Sequence, residues 1–440
     1  MTKIVIVGAG PTGASLALLL AERGIHVTLI EATKEFRRVF RGEGLMPSGL
    51  EALAQMGLTE VIKKLPVSPL TAWEFIINGK PLFRVEEPMG SDRPCTLVSQ
   101  PPLLDALVKR AKAYPTFEFI QGVAVKDVLW RPLPDDQNSD KKRVSGVRLV
   151  DGRTITASLV IGADGRNSMI RQRAGLELVT QPKSIDVLWF KLPAPPRLVE
   201  NNVFCSIVKQ GQVFSVFHSA EPGQMHVAWV VYPKAANRAA SPKKNDKQTN
   251  EKLSSRQWAE RFASLSPDWL AQHFLDHGDA IASPIRLSVL VGRCPAWHKP
   301  GVLLLGDAAH PMSPVRAQGI NMAFRDVIVT ANHLVPILNA EARSSKSSQD
   351  SSLDIHEQSK LDLLLDGAIA TIQSEREPEI IRAQQLQTSE ASQGELLRSN
   401  TLVLTTILNF APILSPLLKK SWVHKQHQLR QGITKVTLLV

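Results

Sequence analysis

The chain reads as α/β, with a second antiparallel sheet and a helical C-terminal region. Three observations predict this. A glycine-rich turn joins a β-branched run, Ile4 to Val7, to a helical run, Thr12 to Arg23. Between residues 179 and 283 the apolar pattern changes to short alternating runs, the period of antiparallel strands. In the last 80 residues or so the pattern returns to helical spacing.

The first element is the most explicit. A continuous β-branched run is the mark of a strand buried on both faces. Gly8 permits the tight turn, Gly10 lets backbone approach a pyrophosphate, and Gly13 lets the helix pack close to the strand. The helix then aims its first N–H groups at phosphate. A second strand, His26 to Ile30, ends at Glu31, 18 residues after Gly13 and near the spacing of a ribose-binding carboxylate. This is a Rossmann-like dinucleotide signature, and by itself it does not separate FAD from NAD.

The same domain is expected to be discontinuous, built from residues 1–72, 97–178 and 284–340. Within the middle piece, Gly122 to Trp130 and Val144 to Val150 read as paired strands, with Asp135 to Lys142 connecting them. The third piece contains the strand Val302 to Leu305. Residues 73–96 and 179–283 are expected to form a second, antiparallel sheet. Its runs are Trp73 to Phe83, Val187 to Phe190, Val203 to Ile207, Val213 to His218 and His226 to Val231. Residues 341–440 form the helical region, opening on a Ser- and charge-rich linker, Glu341 to Lys360.

Composition narrows the class. At 440 residues the chain can bury a large core across two or three domains. Cys95, Cys205 and Cys294 give neither a disulfide framework nor metal spacing, so a reducing cytoplasm is expected and no metal site is. The strand that opens at Lys3 reads as part of the fold, and no signal peptide is expected. The net charge of +11 is partly local, because Lys243, Lys244, Lys247 and Lys252 fall in a polar stretch that reads as a flexible surface insertion. A nucleic-acid partner is therefore not expected, and the basic surface suits small anions or anionic lipid.

Three separated segments carry a resemblance. They are Gly8-Ala9-Gly10-Pro11-Thr12-Gly13 with Glu31, Gly162-Ala163-Asp164-Gly165-Arg166, and Gly306-Asp307-Ala308-Ala309-His310-Pro311 continuing to Gly319-Ile320-Asn321. Together they resemble the single-component FAD-dependent aromatic hydroxylases, monooxygenases with the p-hydroxybenzoate hydroxylase fold, from residue 1 to about residue 335. The resemblance implies that Gly8, Gly10, Pro11, Thr12, Gly13 and Glu31 bind FAD. Asp164 would lie near both FAD and a nicotinamide cosubstrate, NADPH or NADH. Asp307, after Gly306, would hold the ribityl chain. Gly319, Ile320 and Asn321 would open a helix whose N–H groups stabilise negative charge on the reduced ring. Pro314 matches a position beside the reacting face. Arg38 to Gly44 resembles an arginine-bearing loop near the flavin, with Arg41 the better match. Gln100 or Ser99 would face the cofactor at a helix start, although Ser99 also reads as an N-cap.

The implied reaction is oxygen transfer. NAD(P)H reduces FAD, O2 adds to the reduced flavin, and a flavin hydroperoxide hydroxylates or epoxidises a hydrophobic small molecule. An aromatic, polyketide-, indole- or quinone-like substrate is expected. Trp189, Phe217, His218 and Trp229 are candidates for the inner face of the second sheet, where His218 could bond a substrate hydroxyl. Arg41, Pro314 and His218 are thus the residues expected at the reacting centre. Ordinary core packing is the competing reading for the sheet residues, and a solvated basic face for the arginines.

Two features depart from the family or lie outside it. Arg316 stands where relatives often carry Gly; it could bind an anionic substrate, bind nicotinamide phosphates, or point to solvent. Residues 401–418 are strongly apolar, interrupted by Pro412 and Pro416, and flanked by Arg398, Lys419 and Lys420. They read as a docked helix pair or as a peripheral membrane contact. Competing functions are an FAD-dependent reductase of the same fold that does not use O2, and a non-catalytic flavin-binding protein. Fold alone does not choose among them.

Overall fold

A computed structural model describes residues 3–36, 43–90, 93–133, 142–182, 185–232, 253–344 and 353–440. The strand Lys3–Val7 lies at the centre of a six-stranded sheet ordered His298–Lys299, Val302–Leu304, Leu159–Gly162, Lys3–Val7, His26–Glu31 and Phe117–Gln121. All its pairings are parallel except that of His298–Lys299 with Val302–Leu304. Distant stretches of chain therefore meet in one sheet. Ile4, Val5 and Ile6 are fully buried, as a central parallel strand covered on both faces requires. The first helix, Pro11–Glu22, packs on it, and the long helix Gln318–Ser344 packs on that helix.

The second sheet has seven strands, ordered Ile285–Ser288, Asp186–Pro193, Gln224–Val231, Gln212–His218, Val203–Lys209, Ala72–Ile77 and Lys80–Glu86. Each alternating run expected from the sequence is a strand here. Trp73 to Phe83 is two strands rather than one, turned at Asn78 and Gly79, both with positive φ. One face carries Phe190, Phe214 and Trp229 against Trp258 and Phe262 of the helix Ser255–Leu265. The other face, with Trp189, Phe204 and Phe217, turns toward the first sheet.

The paired strands of the middle segment run Val125–Pro132 and Lys142–Leu149, antiparallel. The expected connection Asp135 to Lys142 lies outside the described residues up to 141, as does the expected insertion Lys234 to Lys252. The linker expected over Glu341 to Lys360 needs correction. The helix Gln318–Ser344 continues through Glu341, and the next helix, Leu353–Ser399, already includes Lys360; residues 345–352 lie outside the described set. Alanine, glutamate and arginine at 340–343 are good helix formers, which outweighs the polar composition.

The chain closes with helices Thr401–Asn409 and Ala411–Gln431, bent by 106° at Phe410. Among the described residues no single helix is long and apolar enough to cross a membrane. After Gln431 the chain returns to the first sheet's helices, where Gln55 accepts from the Leu438 N–H at 2.7 Å and Asn332 from the Leu439 N–H at 2.8 Å.

Candidate active site

The first two motif turns touch through glycine. Gly8 has φ +99°, and a Cβ there would lie 2.5 Å from the Ala163 carbonyl oxygen. Gly13 allows the close helix crossing, since its Cβ would lie 1.9 Å from the Gly8 oxygen. Gly10 has open space where a Cβ would stand, at the N-terminus of the first helix. The third segment reaches the first the same way: Gly306, at φ +57°, leaves only 2.5 Å between a hypothetical Cβ and Thr12 Oγ1.

Arg171 joins the second segment to the third. Its guanidinium donates to the Ala308 carbonyl at 2.9 Å and to the Arg166 carbonyl at 2.8 Å. Sequence reading missed this residue, because an arginine two turns past the motif carries no local sign of its distant partner.

These contacts frame a cavity of ≈ 1000 Å³ between the two sheets. That is the upper end of small-molecule sites and leaves room for a dinucleotide and a second molecule. Of the predicted cofactor residues, Gly8, Gly10, Pro11, Thr12, Glu31 and Gln100 line it. So do Asp164, Asp307, Pro314, Gly319 and Ile320. Gly13 and Gly306 shape the backbone behind the wall. Arg41 and Arg38 lie outside the described residues. Of the pair Gln100 and Ser99, only Gln100 reaches the cavity, and Ser99 makes no side-chain cap bond.

The carboxylates differ in environment. Glu31 is buried and accepts from the Ala9 N–H at 2.8 Å, and from the Thr33 N–H at 2.9 Å, which fixes it across the turn where ribose would sit. Asp164 caps the short helix Met169–Arg173, accepting from the Met169 N–H at 2.7 Å and the Ile170 N–H at 3.1 Å. Burial pushes its carboxyl above the ordinary range, against the hydrogen bonds from Ser168 and these amides. Asp307 is exposed to the cavity, as a group that bonds a ligand hydroxyl must be.

Two expectations change. Asn321 keeps its place at the helix start, where the expectation concerned its backbone N–H; its side chain is fully buried, accepts from the Met46 N–H at 2.8 Å and donates to the Gly44 and Ala317 carbonyls, holding the neighbouring loop. His218 lies off the cavity with Nδ1 3.1 Å from Ser68 Oγ. Burial, then the neighbouring His226, push its imidazole below the ordinary value. Trp229 is on the outer face: Trp189 pairs with Ala228, so Trp229 falls out of phase and packs on Trp258. Trp189 and Phe217 do line the cavity.

Arg316 lines the cavity and is paired rather than solvent-facing. Its side chain is 8% exposed, its Nε donates to Glu390 at 2.7 Å, and its guanidinium lies 4.7 Å from the ring centres of both Trp73 and Trp422. Arg316 and the following Ala317 have φ of 58° and 48°, a left-handed conformation costing non-glycine residues about 1–3 kcal/mol each.

A buried ionic network underlies the third segment. Asp326 accepts from the Gly306 N–H at 3.2 Å, from Arg376 Nε at 2.8 Å, and bonds His310 Nε2 at 2.9 Å. Glu379 bridges Arg376 and Arg325. Among the described residues no cluster of His, Cys, Asp or Glu could hold a metal ion.

The glycine turns, the helix N-terminus, a fixed carboxylate at the ribose position and an exposed carboxylate at the far end suit an extended dinucleotide. The comparisons agree. A family model described as FAD binding domain matches residues 1–351. The 6-methylpretetramide 4-monooxygenase of Streptomyces rimosus is 28% identical over 338 residues, covering 74% of this chain and 73% of that protein. The ubiquinone hydroxylase UbiL of Rhodospirillum rubrum is 27% identical, covering 76% and 72%. Among solved structures, p-nitrophenol 4-monooxygenase PnpA of Pseudomonas putida superposes with a TM-score of 0.71 at 18% identity, covering 99% of this chain and 100% of that one. PqsL of Pseudomonas aeruginosa, solved with 2-aminobenzoylacetate, gives 0.70 at 19%, covering 90% and 96%. The chain belongs to the FAD-dependent monooxygenases with the p-hydroxybenzoate hydroxylase fold. It is an FAD-dependent oxidoreductase, and NAD(P)H is the cosubstrate typical of that family.

Proposed function

We propose that the protein inserts one atom of O2 into a hydrophobic, aromatic or polyketide-like small molecule held between the flavin position and the inner face of the seven-stranded sheet. The single observation that carries this is the composition of that face. Trp189, Phe204 and Phe217 line it, with Ser206 and Ser215 as polar points, and such walls suit a flat apolar ligand oriented by few hydrogen bonds. The names of the relatives, a polyketide-derived monooxygenase and a ubiquinone hydroxylase, support the same class. Bound FAD supplies the redox chemistry, taking electrons from NAD(P)H and activating O2. The chain's own residues hold, orient and exclude water. Gly8, Gly10, Pro11, Thr12 and Gly13 fit the pyrophosphate turn, Glu31 the ribose and Asp307 the ribityl chain, with Gln100 and Asp164 beside them. Gly319 and Ile320 offer helix N-terminal amides for negative charge, and Pro314 packs beside the reacting face. In this reading residues 1–72, 97–178 and 284–340 bind the cofactor, residues 73–96 and 179–283 the substrate, and residues 341–440 close the cavity. The test is NAD(P)H oxidation with O2 uptake across phenolic, quinone-like, indole and polyketide compounds. Matched consumption stimulated by one class supports the reading. NAD(P)H consumption with no O2 uptake points to the reductase instead.

We also propose that the enzyme works at a membrane surface. Leu402, Phe410, Ile413 and Leu417 are exposed on the bent helix pair, while Val403, Ile407 and Leu418 on its other side line the cavity. Residues 396–440 contain no Asp or Glu, and Lys419, Lys420 and Lys425 are exposed beside the apolar elbow. An apolar ridge with a basic shoulder fits the interface of an anionic bilayer, the source of lipophilic substrates. Three buried free cysteines fit a reducing compartment such as the cytoplasm.

A further inference from the structure

The turn at 313–317 leads directly into Gly319 and Ile320 on the cavity wall, and it is strained. Arg316 and Ala317 both take left-handed backbone, at φ 58° and 48°, where glycine would sit without cost. Strain of this kind persists only where surrounding structure over-determines it. Here the surroundings are the C-terminal helices, all beyond the residues 1–351 that the family model matches.

The grip comes mainly from one face of the helix Leu353–Ser399, at a spacing of three residues. Gln384 Nε2 donates to the Gly292 carbonyl at 2.7 Å and to the Pro311 carbonyl at 3.4 Å. Gln387 Nε2 donates to the Ser313 carbonyl at 2.8 Å and the Val315 carbonyl at 2.6 Å. Glu390 takes the Arg316 guanidinium, and Gln426 of the helix Ala411–Gln431 holds the other Glu390 oxygen at 3.1 Å. From the turn's own side, Gln318 Nε2 donates to the Leu429 carbonyl at 3.0 Å. Trp422, from that same last helix, packs on Arg316 beside Trp73, the two ring centres 6.1 Å apart and tilted by 52°.

We propose that Arg316 is a positioning residue that locks the 313–317 turn to the C-terminal helices. A turn that glycine would hold by itself is held here by a guanidinium packed against two neighbouring tryptophans and paired with a carboxylate. The helices that wall the cavity therefore also set the geometry of the turn beside the reacting centre. Displacing them to admit substrate releases the turn, and reseating them restores it. The catalytic consequence rests on the flavin reading above; the mechanical coupling does not.

The test compares Arg316→Ala with Arg316→Gly, and adds Glu390→Gln. Both Arg316 variants remove the cation; the alanine keeps the strain at position 316, the glycine relieves it there, and Ala317 keeps its own in both. The readouts are hydrogen exchange of the 313–319 amides and, in the FAD-loaded enzyme, the share of NAD(P)H oxidation that ends in hydrogen peroxide. Arg316→Ala and Glu390→Gln should speed exchange of the turn by about tenfold and raise the peroxide share, while Arg316→Gly stays near the natural protein. Equal loss of protection in the alanine and glycine variants would mean that glycine does not hold the turn by itself, and overturns the proposal. So would an unchanged turn in Glu390→Gln, which carries the test if Arg316→Ala does not fold. Exchange reads out with or without FAD, so failure of the flavin reading and failure of the lock are separable.

Discussion

Arg171 donates to the Ala308 carbonyl across 137 residues of chain, and through this bond the Asp164 and Asp307 segments face each other over one cavity. The arginine is 6% exposed, so its bonds are made out of water, where charged hydrogen bonds are worth most.

Arg171→Met should keep the volume and lose both carbonyl contacts. The expected cost is about 2–4 kcal/mol of stability, with weaker FAD retention because the two segments lose their common tie. Thermal unfolding of the FAD-free protein and FAD titration separate the two effects. A change in neither would show that Arg171 only fills space.

Glu379 makes stability depend on acid. Burial by itself would raise its carboxyl; the Arg376 and Arg325 charges and their hydrogen bonds outweigh burial and hold it at about 2 against an ordinary 4.5. A depressed carboxyl contributes fully above the unfolded value, and the contribution drains away as pH falls from about 4.5 toward about 2. The shift corresponds to about 3 kcal/mol. Glu379→Gln should lower the midpoint of unfolding at neutral pH and flatten its fall below pH 4.5, as read from denaturant titrations at several pH values.

The two faces of the seven-stranded sheet should answer differently. Trp229→Ala empties a core site shared with Phe214, Trp258 and Phe262, and should cost about 3–5 kcal/mol. Trp189→Ala opens the cavity wall and should raise KM for substrate by about tenfold with a smaller loss of stability. Steady-state kinetics beside chemical denaturation would reveal the split, and the reverse pattern would reverse the assignment of faces.

Membrane binding is checked by cosedimentation with vesicles containing anionic lipid. The natural protein should pellet with them at low salt and less with neutral vesicles. Ile413→Glu/Leu417→Glu should remain in the supernatant, since both side chains are exposed. Equal recovery with and without vesicles excludes a bilayer, and a change in oligomeric state in this variant would assign the ridge to a second copy of the chain.

Much of the cofactor site was legible because its grammar is local. Gly8, Gly13 and Glu31 follow from steric and spacing rules within one βαβ-like unit, and the structure shows the close approaches those rules anticipate. The second sheet was legible as strands but not as faces. A period of two orders residues within a strand, whereas the relative phase of Trp189 and Trp229 depends on pairing between strands. His218 and Asn321 carried suitable chemistry but were turned elsewhere by Ser68 and the Met46 backbone. Glu390 had no sequence signal, because its arginine partner lies 74 residues away, and for Glu379 the sequence offered only Arg376 three residues before it, not Arg325 54 residues away.

The central claim is tested most directly by turnover under isotope-labelled O2 with an accepted aromatic or polyketide-like substrate, followed by product mass. The account predicts one labelled oxygen atom in the product, none in product formed from labelled water, and loss of both FAD and turnover in Asp307→Ala. Product without labelled oxygen, or substrate reduced rather than oxygenated, would contradict it.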